Sequence, residues 1–315
     1  MAGFIGSTLA DRLLHEGWRI VGVDSFEDYY PRSYKEHNIR QASGHPAFTL
    51  MERNLLDLGA DGSLQELMEG ADVVFHLAAQ AGVRASWDSG FRVYSDNNVL
   101  GTQVVLEAAH RAGVQKVVYA SSSSVYGDTD ILPMREDAVC RPYSPYGVTK
   151  LAGEHLCGLY GGNFGLSTVS LRFFTVYGPR QRPDMAFHRF IRTVLDGGRI
   201  AVYGDGLQSR DFTYIDDIVD GIIASVSAPP GAVLNLGGGS RVTVRQVVAA
   251  LEEATGVQIA VDYIESQAGD VGHTAASLEN AHDLIGYAPR VTLREGLRRE
   301  VNWLRGRPGD TQGQG

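Results

Sequence analysis

Lysine is almost absent from this chain: of its 28 basic residues only Lys35, Lys116 and Lys150 are lysines, the rest arginines. Any chemistry that needs an ammonium falls on one of three positions. Cysteine is as scarce, with Cys140 and Cys157 standing 17 residues apart and outside any C-x-x-C pair. That excludes a disulfide framework and a cysteine-based metal site, so both thiols are expected to be packing or surface residues, and no metal is expected. No apolar run approaches the roughly 18 to 20 residues of a membrane span, and no charged-then-apolar leader precedes residue 30. The cytoplasm is the expected location. Positive charge is also in deficit, since a net charge of −9 opposes a polyphosphate partner and excludes nucleic acid as an expectation. An anionic small ligand must be met by local arginines.

A strand is lacking too. The chain opens "MAGFIGSTLADRLL", and Gly3 and Gly6 read as the second and third glycines of a G-x-x-G-x-x-G turn that normally joins a β-strand to a helix. The strand lies mid-sheet in such folds, so its neighbours are expected to carry unpaired backbone groups. A start placed downstream of that strand is the expected cause.

What is present is a rhythm. Ile5, Leu9 and Leu13 recur at a spacing of four and predict a helix ending near Gly17. "WRIVGVD", "DVVFHLAA" at 72–79, "QKVVYASSSS" at 115–124 and "LSTVSLRFF" at 166–174 are apolar runs of strand length, with helical stretches around 98–112 and 144–161. Apolar strands alternating with helices, without a polar face, predict an α/β doubly wound parallel sheet, Rossmann-like and lacking its first strand. Beyond residue 175 the chain is loop-rich and predicts a smaller, interleaved lobe, with segments around 213–237 returning to the first domain. The expected division is 1–174 for the dinucleotide-binding domain, 175–304 mainly for the substrate lobe, and a disordered tail over 305–315.

Two constellations carry chemistry. The opening turn can present backbone N–H groups and a helix N-terminus to a pyrophosphate, and Asp24 ends the second strand 21 residues after Gly3, where a carboxylate accepts from ribose hydroxyls. That carboxylate repels a 2′-phosphate, so NAD is the expected cofactor. In "RPYSPYGVTKLAGEHL", Ser144 can cap and Pro145 begin a helix that places Tyr146 and Lys150 four apart on one face. A tyrosine with a pKa near 10 is a poor base at neutral pH. The neighbouring ammonium and a bound nicotinamide are expected to lower it, letting Tyr146 take an alcohol proton while a serine from 121–124 holds the same oxygen.

"AGFIG", Asp24, "FHLAAQAGVR", "DNNVLGT", "ASSSSVYG", "YGVTK" and "DFTYIDD" occur in this order, and together they resemble the extended short-chain dehydrogenases/reductases of the NAD-dependent sugar-nucleotide epimerase/dehydratase group. The resemblance spans nearly the whole chain except the first strand and the tail. It implies Tyr146 as acid/base, Lys150 on the nicotinamide ribose, Ser122 as the aligned hydroxyl with Ser123 and Ser124 close by, and Asn97 in support of the lysine. It also implies cofactor contacts from Gly3, Phe4, Ile5, Gly6, Asp24, Asn54, Leu55, Leu77, Ala78 and Ala79. Asn54 stands where many relatives have an aspartate. Gln267 replaces the arginine of an "RPGD" element, which leaves Arg210 for the UDP diphosphate and Asp270 for the uridine ribose. A homodimer through the two helices near 98–112 and 144–161 is implied as well.

Members of this group begin by oxidising C4 of the sugar. Dehydratases and decarboxylases place a carboxylate immediately before "VYG", where this chain has Ser124, so the resemblance implies re-reduction on the other face, which is 4-epimerisation. "FFTVYGPRQRPDMA" is similar to UDP-glucuronate 4-epimerases, with Thr175 followed seven residues later by Arg182. A guanidinium can grip a C5 carboxylate through two parallel hydrogen bonds. Thr175 and Arg182 are expected to hold that carboxylate in the ring plane and so suppress loss of CO2 from the 4-keto sugar. Arg182 pairing with Asp184 is the plainer reading of the same residue. Arg84 is read either as a substrate contact or as a loop anchor, and His76 as a satisfied core residue. The competing functions are a 4-epimerase of UDP-glucose or UDP-N-acetylglucosamine, and a non-catalytic NAD-binding regulator.

Overall fold

The computed structural model describes residues 1–265 and 271–307. The first helix, α1, runs Phe4–His15. Five strands build the cofactor half: β1 (Ile20–Asp24), β2 (Phe48–Glu52), β3 (Val73–His76), β4 (Lys116–Ser122) and β5 (Thr168–Phe173). β6 (Thr175–Tyr177), β7 (Ile200–Tyr203) and β8 (Ser209–Tyr214) follow, then β9 (Ala232–Leu236), β10 (Arg241–Thr243) and β11 (Val261–Ile264).

Every pairing in the cofactor half is parallel, as the uniformly apolar runs require. The strands nevertheless form two sheets, β1-β2 and β3-β4-β5-β9. Among the described residues, β1 and β3 each pair on one side alone. β9 lies beside β5 in the larger sheet, and the Ile215–Ala224 helix packs on α1. The chain thus returns to the first half late. In the other half β10-β8-β6 and β11-β7 make two small sheets.

Alternation along β1 and β3 separates two cores. Ile20, Val73 and Phe75 join Leu9 and Leu13 in one, whereas Val23 and Val74 join Leu64, Met68 and Val105 in the other. Successive side chains of a strand face opposite sides, so each core covers one face. The helix expected near 98–112 is two pieces, a π-helical turn at Ser95–Leu100 and an α-helix at Gly101–Ala112. Residues 305–307, placed in the expected tail, are ordered: the last helix runs Leu293–Arg305, and the Arg307 guanidinium lies 4.7 Å from the centroids of both Tyr34 and Trp303. Those aromatic faces give a terminal arginine something to bury against, which its composition did not suggest. Residues 308–315 lie outside the described ones. No helix among the described residues is long and apolar enough to cross a membrane.

Candidate active site

The Pro145–Phe164 helix starts as its sequence dictates: the Ser144 hydroxyl accepts from the Gly147 amide at 3.1 Å and Pro145 fills the first position, where no N–H is needed. Tyr146 and Lys150 both line a cavity of about 270 Å³. The same cavity is lined by Gly3, Phe4, Ile5, Gly6, Asp24, Asn54, Leu55, Leu77, Ala78, Ala79, Asn97, Ser121 and Arg182. Segments from opposite ends of the chain meet there because the C-terminal ends of β1, β3 and β4 all open on it.

The Lys150 ammonium is buried and donates to the Ala120 carbonyl at 2.9 Å. Burial lowers its pKa to about 8, against the weaker pull of Cys157 and Glu154. Tyr146 shares the cavity. Burial raises its phenol above the usual value, with a hydrogen bond to Ser122 and the charge of Arg182 pulling it down. Arg182 is thus a cation that bears on the phenol, while the Lys150 ammonium is fixed on a backbone carbonyl. Ser122 is the serine bonded to the phenol and also accepts from the Ser124 amide at 3.1 Å. Ser123 and Ser124 begin a short 3-10 turn. Ser121 points away, to Glu154.

Asn98 braces the lysine helix. Asn98, fully buried, donates to the Thr149 hydroxyl at 2.9 Å and the Gln80 carbonyl at 3.0 Å. Asn97 lines the cavity and has no bond to Lys150. Both asparagines lie in the π-helical turn at Ser95–Leu100.

At the cofactor end, the first i→i−4 bond of α1 runs from Ser7 to Gly3 at 3.0 Å, so the amides of Phe4, Ile5 and Gly6 stay free for an anion. A Cβ at Gly3 would meet nothing nearer than the Tyr30 hydroxyl at 3.9 Å and would project into the cavity. Gly6 is needed for another reason, since its Cβ would stand 2.7 Å from the Met1 carbonyl oxygen. Asp24 takes the Met1 ammonium at 2.9 Å and the Ala2 and Phe26 amides at 2.7 and 2.8 Å. Burial works to raise its pKa, but the Met1 charge and these bonds hold it below the ordinary value. Donors at the turn and a carboxylate at the strand end fit a dinucleotide. Asn54 caps the Leu55–Ala60 helix, accepting from Leu56 at 2.8 Å.

The substrate side is less uniform. Arg182 lines the cavity beside Tyr146 and forms a two-pronged pair with Asp184, 2.9 Å on each prong. Thr175 begins β6 opposite Phe212. Arg84 stacks over Tyr203 at 4.1 Å, tying its loop to β7, which is the anchoring role. Arg210 donates to the carbonyls of Ser209, Val271 and Gly272 at 2.7–3.0 Å and does not line the cavity. Asp270 and Gln267 lie outside the described residues. His76 is the satisfied core residue expected, 3.0 Å from the Thr102 hydroxyl.

Sequence reasoning missed Tyr29 and Tyr30, which line the cavity, and the buried pair Glu154 and Arg172, bonded twice at 2.8 and 2.9 Å. Glu154 was findable: it stands four residues past Lys150, on the face that already carries the lysine.

The profile of the NAD dependent epimerase/dehydratase family matches residues 1–237. The chain is 43% identical over 306 residues to an uncharacterized UDP-glucose epimerase of Bacillus subtilis strain 168, covering 96% of this chain and 95% of that protein. It is 38% identical over 305 residues to a UDP-glucuronate 4-epimerase of Thermodesulfobacterium geofontis, covering 96% and 94%. Among solved structures, UDP-glucuronic acid 4-epimerase from Bacillus cereus in complex with UDP-glucuronic acid and NAD matches with a TM-score of 0.93 at 40% identity, covering 97% of each chain.

Proposed function

The chain belongs to the NAD-dependent epimerase/dehydratase family, and from that membership we propose that it interconverts UDP-glucuronate and UDP-galacturonate by NAD-dependent 4-epimerisation. The observation that carries this reading is one cavity lined at once by the Gly3–Gly6 turn, by Tyr146 and Lys150, and by Arg182.

The free amides of α1 and the Asp24 carboxylate would hold NAD. When bound, NAD supplies a reversible hydride acceptor. Tyr146 receives the proton of the C4 hydroxyl and later returns it, on the opposite ring face, to the alkoxide of the epimer. Its buried phenol rests protonated at neutral pH, so its work as a base depends on nearby positive charge and on the Ser122 hydrogen bond. Lys150, fixed on the Ala120 carbonyl, adds an ammonium to that field. Arg182 grips the C5 carboxylate, with Thr175 in support, and keeps it out of line with the C4 ketone so that CO2 is retained. Ser123 and Ser124 shape the turn beside the sugar, Arg84 steadies the loop over it, and Arg210 and Asp270 serve the UDP end.

The division into a cofactor unit over 1–174 and a substrate lobe over 175–304, with 213–237 returning to the first, belongs to the same reading. So does a second copy docked on the helices Gly101–Ala112 and Pro145–Phe164, where Val148, Leu159 and Phe164 are about half exposed. Cytoplasmic action follows from the nucleotide-sugar substrate.

The test is incubation with UDP-glucuronate and NAD, resolving UDP-galacturonate from UDP-pentose. A pentose product, or conversion of UDP-glucose with UDP-glucuronate untouched, overturns the reading. The second alternative has its own support in the B. subtilis relative described as a UDP-glucose epimerase, and the paired assay separates the two.

A further inference from the structure

Thr175 and Arg182, the pair proposed for the C5 carboxylate, stand at the two ends of one excursion of the chain. Thr175 opens β6; after Tyr177 the chain leaves the sheet, turns, and reaches Arg182 before the helix Ala186–Leu195 begins. Connecting segments ordinarily run over the surface. Gln181, the residue before Arg182, is instead only 2% exposed. A carboxamide buried to that degree has to find partners for its donor and its acceptor.

Both ends of the Gln181 side chain are engaged. Its Nε2 donates to the Val176 carbonyl at 3.1 Å, and its Oε1 accepts from the His188 amide at 2.9 Å. Val176 follows Thr175 directly and is held in β6 opposite Thr213 of β8, so a single side chain ties the chain neighbour of Thr175 to the chain neighbour of Arg182. The His188 amide belongs to the first turn of its helix, where an N–H lacks an intrahelical acceptor. Gln181 therefore joins three elements. Its backbone is fixed as well: the Gln181 amide donates to the Gly178 carbonyl at 3.0 Å, and its carbonyl accepts from Nδ1 of the buried His188 ring at 2.9 Å. Arg180, just upstream, has a φ of +71° and pairs with Asp11 of α1 at 2.6 Å. A non-glycine residue in that left-handed region persists where its surroundings hold it.

We propose that Gln181 is the positioning residue that sets the separation of Thr175 and Arg182, and so selects a sugar with a C5 carboxylate over one with a neutral C5 group. This role rests on the UDP-glucuronate reading of the cavity and adds to it the residue that fixes its specificity. Gln181 does not itself line the cavity; it acts through Arg182. Asp184 steadies the guanidinium of Arg182, while Gln181 steadies the backbone from which that side chain springs. A two-pronged grip on a carboxylate depends on direction as well as charge, so a backbone free to slip would weaken it. A neutral sugar, which makes no such grip, would not register the slip.

The test measures, by calorimetry on the NAD-loaded protein, the Kd of UDP-glucuronate and of UDP-glucose for the parent, Gln181→Met, Arg182→Ala and the double variant. Methionine keeps the length of the side chain and removes both polar ends. Gln181→Met is expected to lower the preference for UDP-glucuronate by about fivefold or more while the Kd of UDP-glucose stays within about twofold. In the Arg182→Ala background the same change should have no further effect on the preference, because the guanidinium through which it acts is gone. General loosening of the fold would weaken both ligands together and leave their ratio alone. If Gln181→Met does not fold, Gln181→Glu replaces it. Its protonated carboxyl can donate to the Val176 carbonyl and accept from the His188 amide, whereas the ionised form cannot donate. Its preference relative to the parent should then match at about pH 5.5 and fall toward about pH 8. An unchanged preference in folded Gln181→Met, a loss of equal size in the Arg182→Ala background, or a flat ratio to the parent across pH for Gln181→Glu overturns the proposal. A parent that does not distinguish the two sugars overturns the UDP-glucuronate reading and this role with it; a parent that does, beside an unchanged variant, overturns this role alone.

Discussion

At the residue scale the site turns on which cation serves the phenol. Tyr146→Phe removes the group that moves the C4 proton and is expected to cost about 10² to 10⁴ in kcat, measured as UDP-galacturonate formed per minute, with Tm unchanged within about 2 °C. Arg182→Ala tests two roles at once. Because the Arg182 charge pulls the Tyr146 phenol down, its loss should move the ascending limb of the pH–rate profile to higher pH. Because a guanidinium binds a carboxylate through charge-assisted bonds, KM for UDP-glucuronate should rise at least tenfold while that for UDP-glucose changes little. An unchanged ratio of the two KM values removes the carboxylate grip. Asp184 holds Arg182 by its Nε and Nη2 atoms, so Asp184→Asn should loosen the aim of Arg182 and raise the same KM less.

At the element scale the Pro145–Phe164 helix does most of the positioning. Tyr146, Lys150 and Glu154 recur every four residues along it, and Glu154 pins it to β4 through Ser121 and to β5 through Arg172. Arg172 and Glu154 are 5% and 7% exposed, so removing one partner strands the other charge. Glu154→Ala is expected to cost about 3–5 kcal/mol, read as a fall in the urea midpoint. Arg172→Met with Glu154→Leu should recover much of it, since a packed apolar pair escapes the desolvation cost. The helix's existence, start and inward face were legible, because Ser-Pro at its head and a spacing of four are local signals. The partner on β5 was not: Glu154 and Arg172 are 18 residues apart in the chain, and no local pattern joins them.

At the scale of the whole molecule, burial sets the response to pH. His76 is held neutral in the fold, its pKa lowered to about 3 by burial and by the charge of Lys150, against about 6.5 in an unfolded chain. Between these values the unfolded chain binds a proton that the folded one refuses. Stability from this residue is complete above about pH 6.5 and is lost as pH falls toward 3, with about 2 kcal/mol gone between pH 7 and 5. Asp211 works in the other direction, raised to about 6 by burial, and gives stability back as it protonates. Urea midpoints at pH 7 and 5 for the parent and His76→Gln isolate the histidine: the variant should lose less on acidification. An equal loss in both would show that His76 does not carry it.

The sequence by itself determined the parallel α/β class, the strands β1, β3, β4, β5 and β9, and the helix Pro145–Phe164 with its cap. Each of these is written in contiguous residues, as an apolar run or a capping pair. Tertiary structure alone decided that Asn98 is tied to Thr149 on the lysine helix, that Arg182 stands near the phenol of Tyr146, and that Arg307 is packed on Tyr34 and Trp303. The reason is the same throughout. Periodicity fixes which face of an element is buried, whereas the atom a buried charge or open edge meets depends on elements far away in the chain, brought together only by packing.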